Sequence, residues 1–414
     1  MTALDPQLAV RWLRDIAEMT GDADGAQRVA WTDTWITARD WLRARLAEIP
    51  GVTVHTDPAG NIWAELPGES ERSVVVGGHT DSVPNGGWLD GVLNVVAALS
   101  VMRAVAAGPR PPLTLRLVDW ADEEGARFGR SLVGSSACAG TLDPDAVRGL
   151  SDRDGVPLPD ALAARGVDLD RMLESGAELD GVAAYLELHI EQGPVLESID
   201  RPLGVVSGVF GLQRHVVVVR GAHAHAGATP MHLRRDAFLT AARTALAARE
   251  GAEARADTRA TTGTVSVAPG IVTAFNGLCE FSLDQRAFDA AVLAEMVEEA
   301  RAASERIADE EGTTVEWVPQ FAQEPVFFAP ELVEIAAGVI ADLTGEESPR
   351  LPSGPLHDAA EMARVVPSVM VFVRSIGGVS HTKDEDSSVE DLELSVRAMH
   401  ELTLRTMDWA AGTT

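Results

Sequence analysis

The chain has 414 residues, 46% of them hydrophobic, a mean hydropathy of +0.03 and a formal net charge of −29. That length and balance suit a soluble chain with two cores and exclude fibrous and disordered classes. The acidity, with no basic stripe to offset it, excludes nucleic acid and anionic membranes as expected partners, and two distant cysteines, Cys138 and Cys279, exclude a disulfide framework or a thiolate zinc knuckle.

The first residues, "MTALDPQLAVRWLRDIAEMTG", carry Asp5 and Glu18 and lack an apolar core, so no signal peptide is expected. No run reaches the ~18 to 20 apolar residues of a membrane span, and a cytoplasmic location follows as the expectation. Helical periodicity is predicted around 12–19 and 34–49. Strands are predicted at "VTVHTD", "NIWAEL", "SVVVGG" and "LTLRLVDWA", which is α/β wiring. "LDGVLNVVAALSVMRAVAA" is apolar on nearly every side and predicts a helix buried against the sheet. From about Gly208 the order becomes β-α-β-β-α-β: strands at "LQRHVVVVRG", "TTGTVSVAPG", "LCEFSLDQR" and "TTVEWVPQF", with two helices between them. This is the split βαβ order of a small ferredoxin-like α+β domain with a four-stranded sheet. "LVEIAAGVIADLTG" and "SVMVFVRS" then return to the first pattern. The expected organisation is a catalytic domain in two parts, 1–207 and 322–414, interrupted by an inserted domain at 208–321.

Chemistry gathers where strands end. "VVVGGHTDSVPNGGWLDG" leads from an apolar run into His79, Asp81 and Asp90, and "LTLRLVDWADEEG" leads into Asp122, Glu123 and Glu124. "AAYLELHIEQG" ends near His189, and "SVMVFVRSIGGVSH" leads to His381. Any one of these alone reads as a solvated loop residue. Together they place acids and imidazoles where open α/β sheets bind ligands. Crowded carboxylates beside a buried sheet edge call for a divalent cation. A donor set of His and carboxylate without thiolate suits zinc, with manganese or cobalt as substitutes, and one bridging carboxylate would serve two ions.

The motifs "GNIWAELPG", "GGHTDSVPNGGWLDG", "DEEGARFGRSLVGS", "LHIEQGPVLE", "HAGATPMHLRRDA", "SLDQR" and "GGVSHTKDED" span nearly the whole chain. In them the sequence resembles the zinc-dependent amidohydrolases that include N-carbamoyl-L-amino-acid amidohydrolase, allantoate amidohydrolase and yeast-type β-ureidopropionase. The resemblance implies a mixed-sheet dinuclear metallohydrolase domain with an inserted lid and dimerisation domain. It implies one ion on His79 and His189, a second on Glu124 and His381, and Asp90 bridging them. Glu123 matches the general base, Asp81 the carboxylate that fixes the His79 ring, and His225 of "HAHAG" the residue that stabilises the oxyanion, in this family often across a homodimer. Gln192 and Arg286 match a substrate-anchoring pair, and Asn276 lies in a turn of the same set. Two departures stand out: Thr273 of "TAFNG" where the family has Asn, and Pro355-Leu356 in "GPLHDA" where it has Ala-Gly. Both positions face the substrate's carboxylate end in the family. The reaction implied is hydrolysis of a linear amide or ureido C–N bond in a small molecule. An aminoacylase or dipeptidase is the alternative within enzymes, and a catalytically inactive binding protein is the alternative outside them.

Overall fold

The apolar run Val74–Val76 lies in the strand Ser70–His79, at the middle of a mixed sheet in the computed structural model, which describes residues 4–413. Contacts divide the chain into one unit of 1–207 with 327–414 and a second of 208–326. In the first unit the central strands run in the order Ser368–Val373, Val182–Ile190, Ser70–His79, Leu113–Trp120, all parallel. Ile62–Leu66 and Thr53–Thr56 extend one side antiparallel, and Leu203–Val209 extends the other. Burial follows from this order. Leu113–Trp120 is buried at every position because strands and helices cover it on all sides, whereas the edge strand Thr53–Thr56 is mostly exposed.

The helix Val92–Ala106 is buried over most of its circumference, as its uniform apolarity requires. Several buried polar groups of this unit are held by specific partners. The Arg39 guanidinium donates to Asp119 at 2.7 Å and lies over the Trp35 ring at 4.2 Å. Asn61 makes a clamp: its Oδ1 accepts the Ala121 N–H at 2.9 Å, while its amide donates to Asp57 at 2.8 Å. Gly134 must be glycine here, since a Cβ would fall 2.1 Å from that Asn61 oxygen. Asn61 of "GNIWAELPG" therefore holds the exit of the strand that delivers Glu123 and Glu124.

In the second unit an antiparallel sheet runs Leu278–Ala287, Gly211–Arg220, Thr314–Gln323, with a further edge on Leu278–Ala287. Helices Ala237–Glu253 and Ala290–Glu311 contribute Ala241, Ala248, Met296 and Ala300 to cores that include Val217, Val219, Phe281, Leu283 and Ala287. The stripe Leu293, Met296, Val297, Ala300 and Ile307 is buried, and Glu298 and Glu299 are exposed. The edge differs from the single strand expected. It is two segments, Thr258–Thr261 and Val265–Ala268, both paired with Leu278–Ala287, which makes the sheet five-stranded. Between them the Ser282 hydroxyl accepts the N–H groups of Gly263 and Thr264 at 3.1 and 3.0 Å, so a side chain replaces the ladder at the break.

Candidate metal centre

Four parallel neighbours end on the same edge of the sheet, and each delivers a donor. His79 closes its strand, His189 is one residue from the end of Val182–Ile190, and Glu123 and Glu124 follow Leu113–Trp120. His381 follows Ser368–Val373 after a short turn. The strand Ser70–His79 has the earlier connection, to Leu113–Trp120, on one side and the later strand Val182–Ile190 on the other, which makes its carboxyl end the switch point of the sheet. Backbone strain gathers there too: Asp122, Gln192 and His381 adopt φ of 60°, 57° and 57° without being glycine. Gly91 is also left-handed, at φ 66°, and a Cβ on it would lie 2.3 Å from the His79 ring.

Two groups of donors have ligand atoms within 4.8 Å of one another: His79, Asp90 and His189, and Asp90, Glu124 and His381. Asp90 belongs to both. Its Oδ1 is 3.7 Å from His79 Nε2 and 3.1 Å from His189 Nε2, and its Oδ2 is 3.4 Å from His381 Nε2. His381 Nε2 is also 3.4 Å from Glu124 Oε2. Glu123 Oε2 faces His79 Nε2 at 3.6 Å. The far side of two rings fixes their tautomers: His79 Nδ1 lies 3.1 Å from the Asp81 carbonyl and His189 Nδ1 lies 2.9 Å from the Ile190 carbonyl. Each Nδ1 therefore carries the proton, and in the neutral ring each Nε2 turns a lone pair toward a carboxylate oxygen. Lone pairs facing carboxylates repel unless a proton or a metal cation lies between them. His79 Nε2 is buried without a hydrogen-bond partner among the described residues, so the donor set fits a divalent ion.

Without an ion, protons take its place. Burial opposes charge on the His79 ring, but the Glu123, Asp81 and Asp90 carboxylates outweigh it and raise its pKa well above the ordinary value. His381 is pushed up to about 9, first by its bond to Asp90. Burial raises Glu123 well above the carboxylate range, with Asp358 and Glu124 adding to it against the pull of His79. Burial and the charge of Asp90 push Glu124 to about 7, and burial with Asp81 pushes Asp122 to about 8. These are carboxylates held together at a cost in repulsion, which a bound cation would relieve.

Asp81 sits where the sequence places it but has a second task. Its carboxylate is 3.5 Å from His79 Nδ1, farther than its own main-chain carbonyl, and accepts the N–H groups of Glu123 and Glu124 at 3.3 and 3.1 Å. It thereby ties the two strand exits together. The Gln192 amide donates to Asp90 Oδ2 at 2.8 Å, beside the ligands. Pro355 and Leu356 are half-buried in a turn where the Ser353 hydroxyl donates to the Pro355 carbonyl at 2.9 Å. The turn leads into buried His357, whose ring centre is 4.4 Å from that of His189. Burial and nearby His189 hold the His357 ring well below its ordinary pKa, hence neutral.

The remaining expected residues belong to the second unit. His225 is exposed, and its Nδ1 accepts the N–H groups of Gly227 and Ala228 at 3.1 and 3.2 Å. The proton is thus on Nε2, which leaves that nitrogen as a donor. The Thr273 carbonyl accepts the Ala226 N–H at 2.8 Å, and Asn276 Oδ1 accepts the Gly270 N–H at 3.1 Å. Arg286 donates from Nε to Asp284 at 2.8 Å, and Arg214 holds the same carboxylate from the other side at 2.7 Å. Sequence reasoning missed Asp284, although it lies within the quoted "SLDQR". It also missed Glu385, which bonds the Asp90 turn, and buried Arg28, whose Nε donates to the Thr80 carbonyl at 2.9 Å. Arg28 left no signal, since its place under the acids arises only from folding.

An α/β sheet whose switch point gathers two overlapping sets of His and carboxylate donors is the frame of a metal-dependent hydrolase. The chain belongs to the peptidase family M20/M25/M40, whose model matches residues 75–405. It is 36% identical over 381 residues to an N-carbamoyl-L-amino acid amidohydrolase of Geobacillus stearothermophilus, covering 91% of this chain and 92% of that protein. It is 33% identical over 384 residues to an allantoate amidohydrolase of Escherichia coli strain K12, covering 91% and 92%. The crystal structure of an amidase of the hydantoinase/carbamoylase family from Burkholderia multivorans matches with a TM-score of 0.90 at 31% identity, over 98% of each chain. With these relatives the chain is a hydrolase of C–N bonds other than peptide bonds.

Proposed function

We propose that the protein hydrolyses a linear ureido or amide bond of a small molecule, using two divalent ions, zinc or in its place manganese or cobalt. The observation that carries this reading is the sharing of Asp90 between the two donor groups, with Glu123 facing the same space. His79 and His189 would hold one ion and Glu124 and His381 the other, with Asp90 common to both. Bound there, divalent ions polarise a carbonyl and acidify water. Glu123, buried and not needed as a ligand, takes up the proton of the attacking water and passes it to the departing nitrogen. Asp81 keeps His79 and the Glu123 turn in register. His225, with its proton on Nε2, donates to the oxygen that gains negative charge. Arg286, braced by Asp284, anchors a carboxylate or a carbonyl of the substrate, and Gln192 orients it from beside Asp90.

Substrate choice is shaped by the departures at Thr273, Pro355 and Leu356. Pro355 stiffens and Leu356 enlarges a turn that leads directly to the His357 ring against His189. The preferred substrate therefore carries a larger or less charged group than a plain N-carbamoyl α-amino acid. The protein works as a homodimer through 208–321, a reading supported by exposed Met231, Leu233, Leu246, Val265, Ile271 and Val272 in that stretch. A panel of ureido, amide and acyl compounds on zinc-loaded protein tests the reaction. Ammonia and carbon dioxide released from a carbamoyl compound support ureide hydrolysis, and turnover of acylamino acids or dipeptides alone would overturn it.

A further inference from the structure

Glu385 is a buried acid, 1% exposed, with no part in the chemistry described so far. It lies four residues beyond His381 and reaches into the glycine-rich turn that carries Asp90. Its Oε1 accepts the N–H groups of Leu89 and Asp90 at 3.1 and 3.0 Å, and its Oε2 accepts the Ser380 hydroxyl at 2.7 Å. The Ser380 oxygen in turn accepts the Gln192 amide at 3.2 Å, and that amide also donates to Asp90 Oδ2 at 2.8 Å. The circuit is closed through the main chain of Asp90. Gly87 leaves room for it, because a Cβ there would fall 2.0 Å from the Glu385 carboxyl carbon.

The two donor groups are built differently. His79 and His189 are buried at strand ends, and each ring is pinned by a main-chain carbonyl. His381 lies outside regular structure, its side chain 50% exposed and its backbone left-handed at φ 57°. Its neighbour Ser380 is what Glu385 holds. Freeing the 380–385 segment would make ligation by His381 pay for ordering that segment, and would leave the Leu89 and Asp90 N–H groups without their acceptor.

We propose that Glu385 is a positioning residue that, given the two-ion reading above, sets the Asp90–Glu124–His381 group selectively, acting through Ser380 and the 380–385 segment that carries His381. Its loss weakens one ion position and spares the other. The test is titration of the metal-depleted full chain with Co²⁺, reading the visible absorption and the equivalents retained after gel filtration. Wild type takes up two equivalents. Glu385→Ala keeps one at wild-type affinity and loses about 10- to 100-fold on the second, the usual effect of removing a residue that orients a ligand. Glu385→Gln recovers most of the loss, since its amide oxygen still accepts the two N–H groups. Ser380→Ala, which leaves Glu385 on the Asp90 turn, shows the same selective loss on a smaller scale. Gly87→Ala imitates Glu385→Ala but adds nothing in its background. If Glu385→Ala does not fold, Ser380→Ala and Gly87→Ala decide. Two equivalents of unchanged affinity in the variants, or equal loss of both, overturn the proposal. A wild type that binds a single equivalent overturns the two-ion reading itself, and this inference with it.

Discussion

At the scale of single residues, Glu123 and Glu124 show how neighbours in sequence divide their work. The turn after Leu113–Trp120, with Asp122 at φ 60°, sends Glu124 to His381 and Glu123 to His79. Glu123→Gln is isosteric and keeps the Asp81 bond to its main chain, so metal content should stay at the wild-type level. Loss of the proton acceptor should lower kcat by about 100-fold or more; a variant with wild-type kcat would remove Glu123 from that role. A different residue contributes to the acid sensitivity of the second unit. His215 is 6% exposed, its ring edge-on to Trp317 at 5.2 Å, and burial with the charge of Arg301 holds it below its ordinary pKa. The unfolded chain binds a proton at about pH 6.5 that the folded one refuses. His215 thus contributes stability above that pH which is lost as pH falls through the folded pKa. Hydrogen-exchange protection factors in Gly211–Arg220, taken relative to the intrinsic rate at each pH, should fall over that range, and His215→Gln should flatten the dependence.

At the scale of elements, the strand exits and one turn matter more than the strands. The turn Gly354 to His357 leads from Pro355 and Leu356 to the ring packed on His189, and the proposed role of these positions in specificity can be tested there. Thr273→Asn with Pro355→Ala and Leu356→Gly should raise kcat/KM for ordinary N-carbamoyl amino acids and lower it for the preferred substrate. A shift of roughly 10-fold each way is in keeping with a few pocket contacts. Unchanged ratios across a substrate panel would show that these positions do not set specificity.

At the scale of the whole molecule, the shared centre should report on folding of the first unit. Ions that bind the folded chain and not the unfolded one stabilise it by mass action, about 2.7 kcal/mol at a hundred times Kd. Chelation should therefore lower the Tm as well as abolish activity, and added zinc, manganese or cobalt should restore both; activity that survives exhaustive chelation would sink the mechanism. For the second unit, the edge strand Val265–Ala268 is exposed at all four positions, with Val265 54% and Val267 36% exposed. Natural edges of this kind are covered or charged. Val267→Lys with Leu246→Glu should convert the proposed dimer to monomer in light scattering, and a wild type already monomeric at working concentration would refute the assembly.

The alternation of elements, the buried helix after Asp90 and the donors at four strand exits were legible in the sequence because each rests on local pattern: β-branched runs, glycine turns and residue type. The resemblance of "EEGARFG" and "HIEQG" to one amidohydrolase branch named the chemistry, and the amidohydrolase relatives agree with it. Long-range closure was not legible. Nothing near Glu385 in sequence says that its carboxylate caps the N–H groups of Leu89 and Asp90, 295 residues away at the nearer. The break at Gly263 depends on a hydroxyl from the next strand, and Asp81 serves Glu123 and Glu124 only because two parallel strands end side by side. Residue type and spacing decide which groups are offered to a site, whereas hydrogen bonds between distant segments decide how they are held, and those exist only once the sheet has brought the segments together.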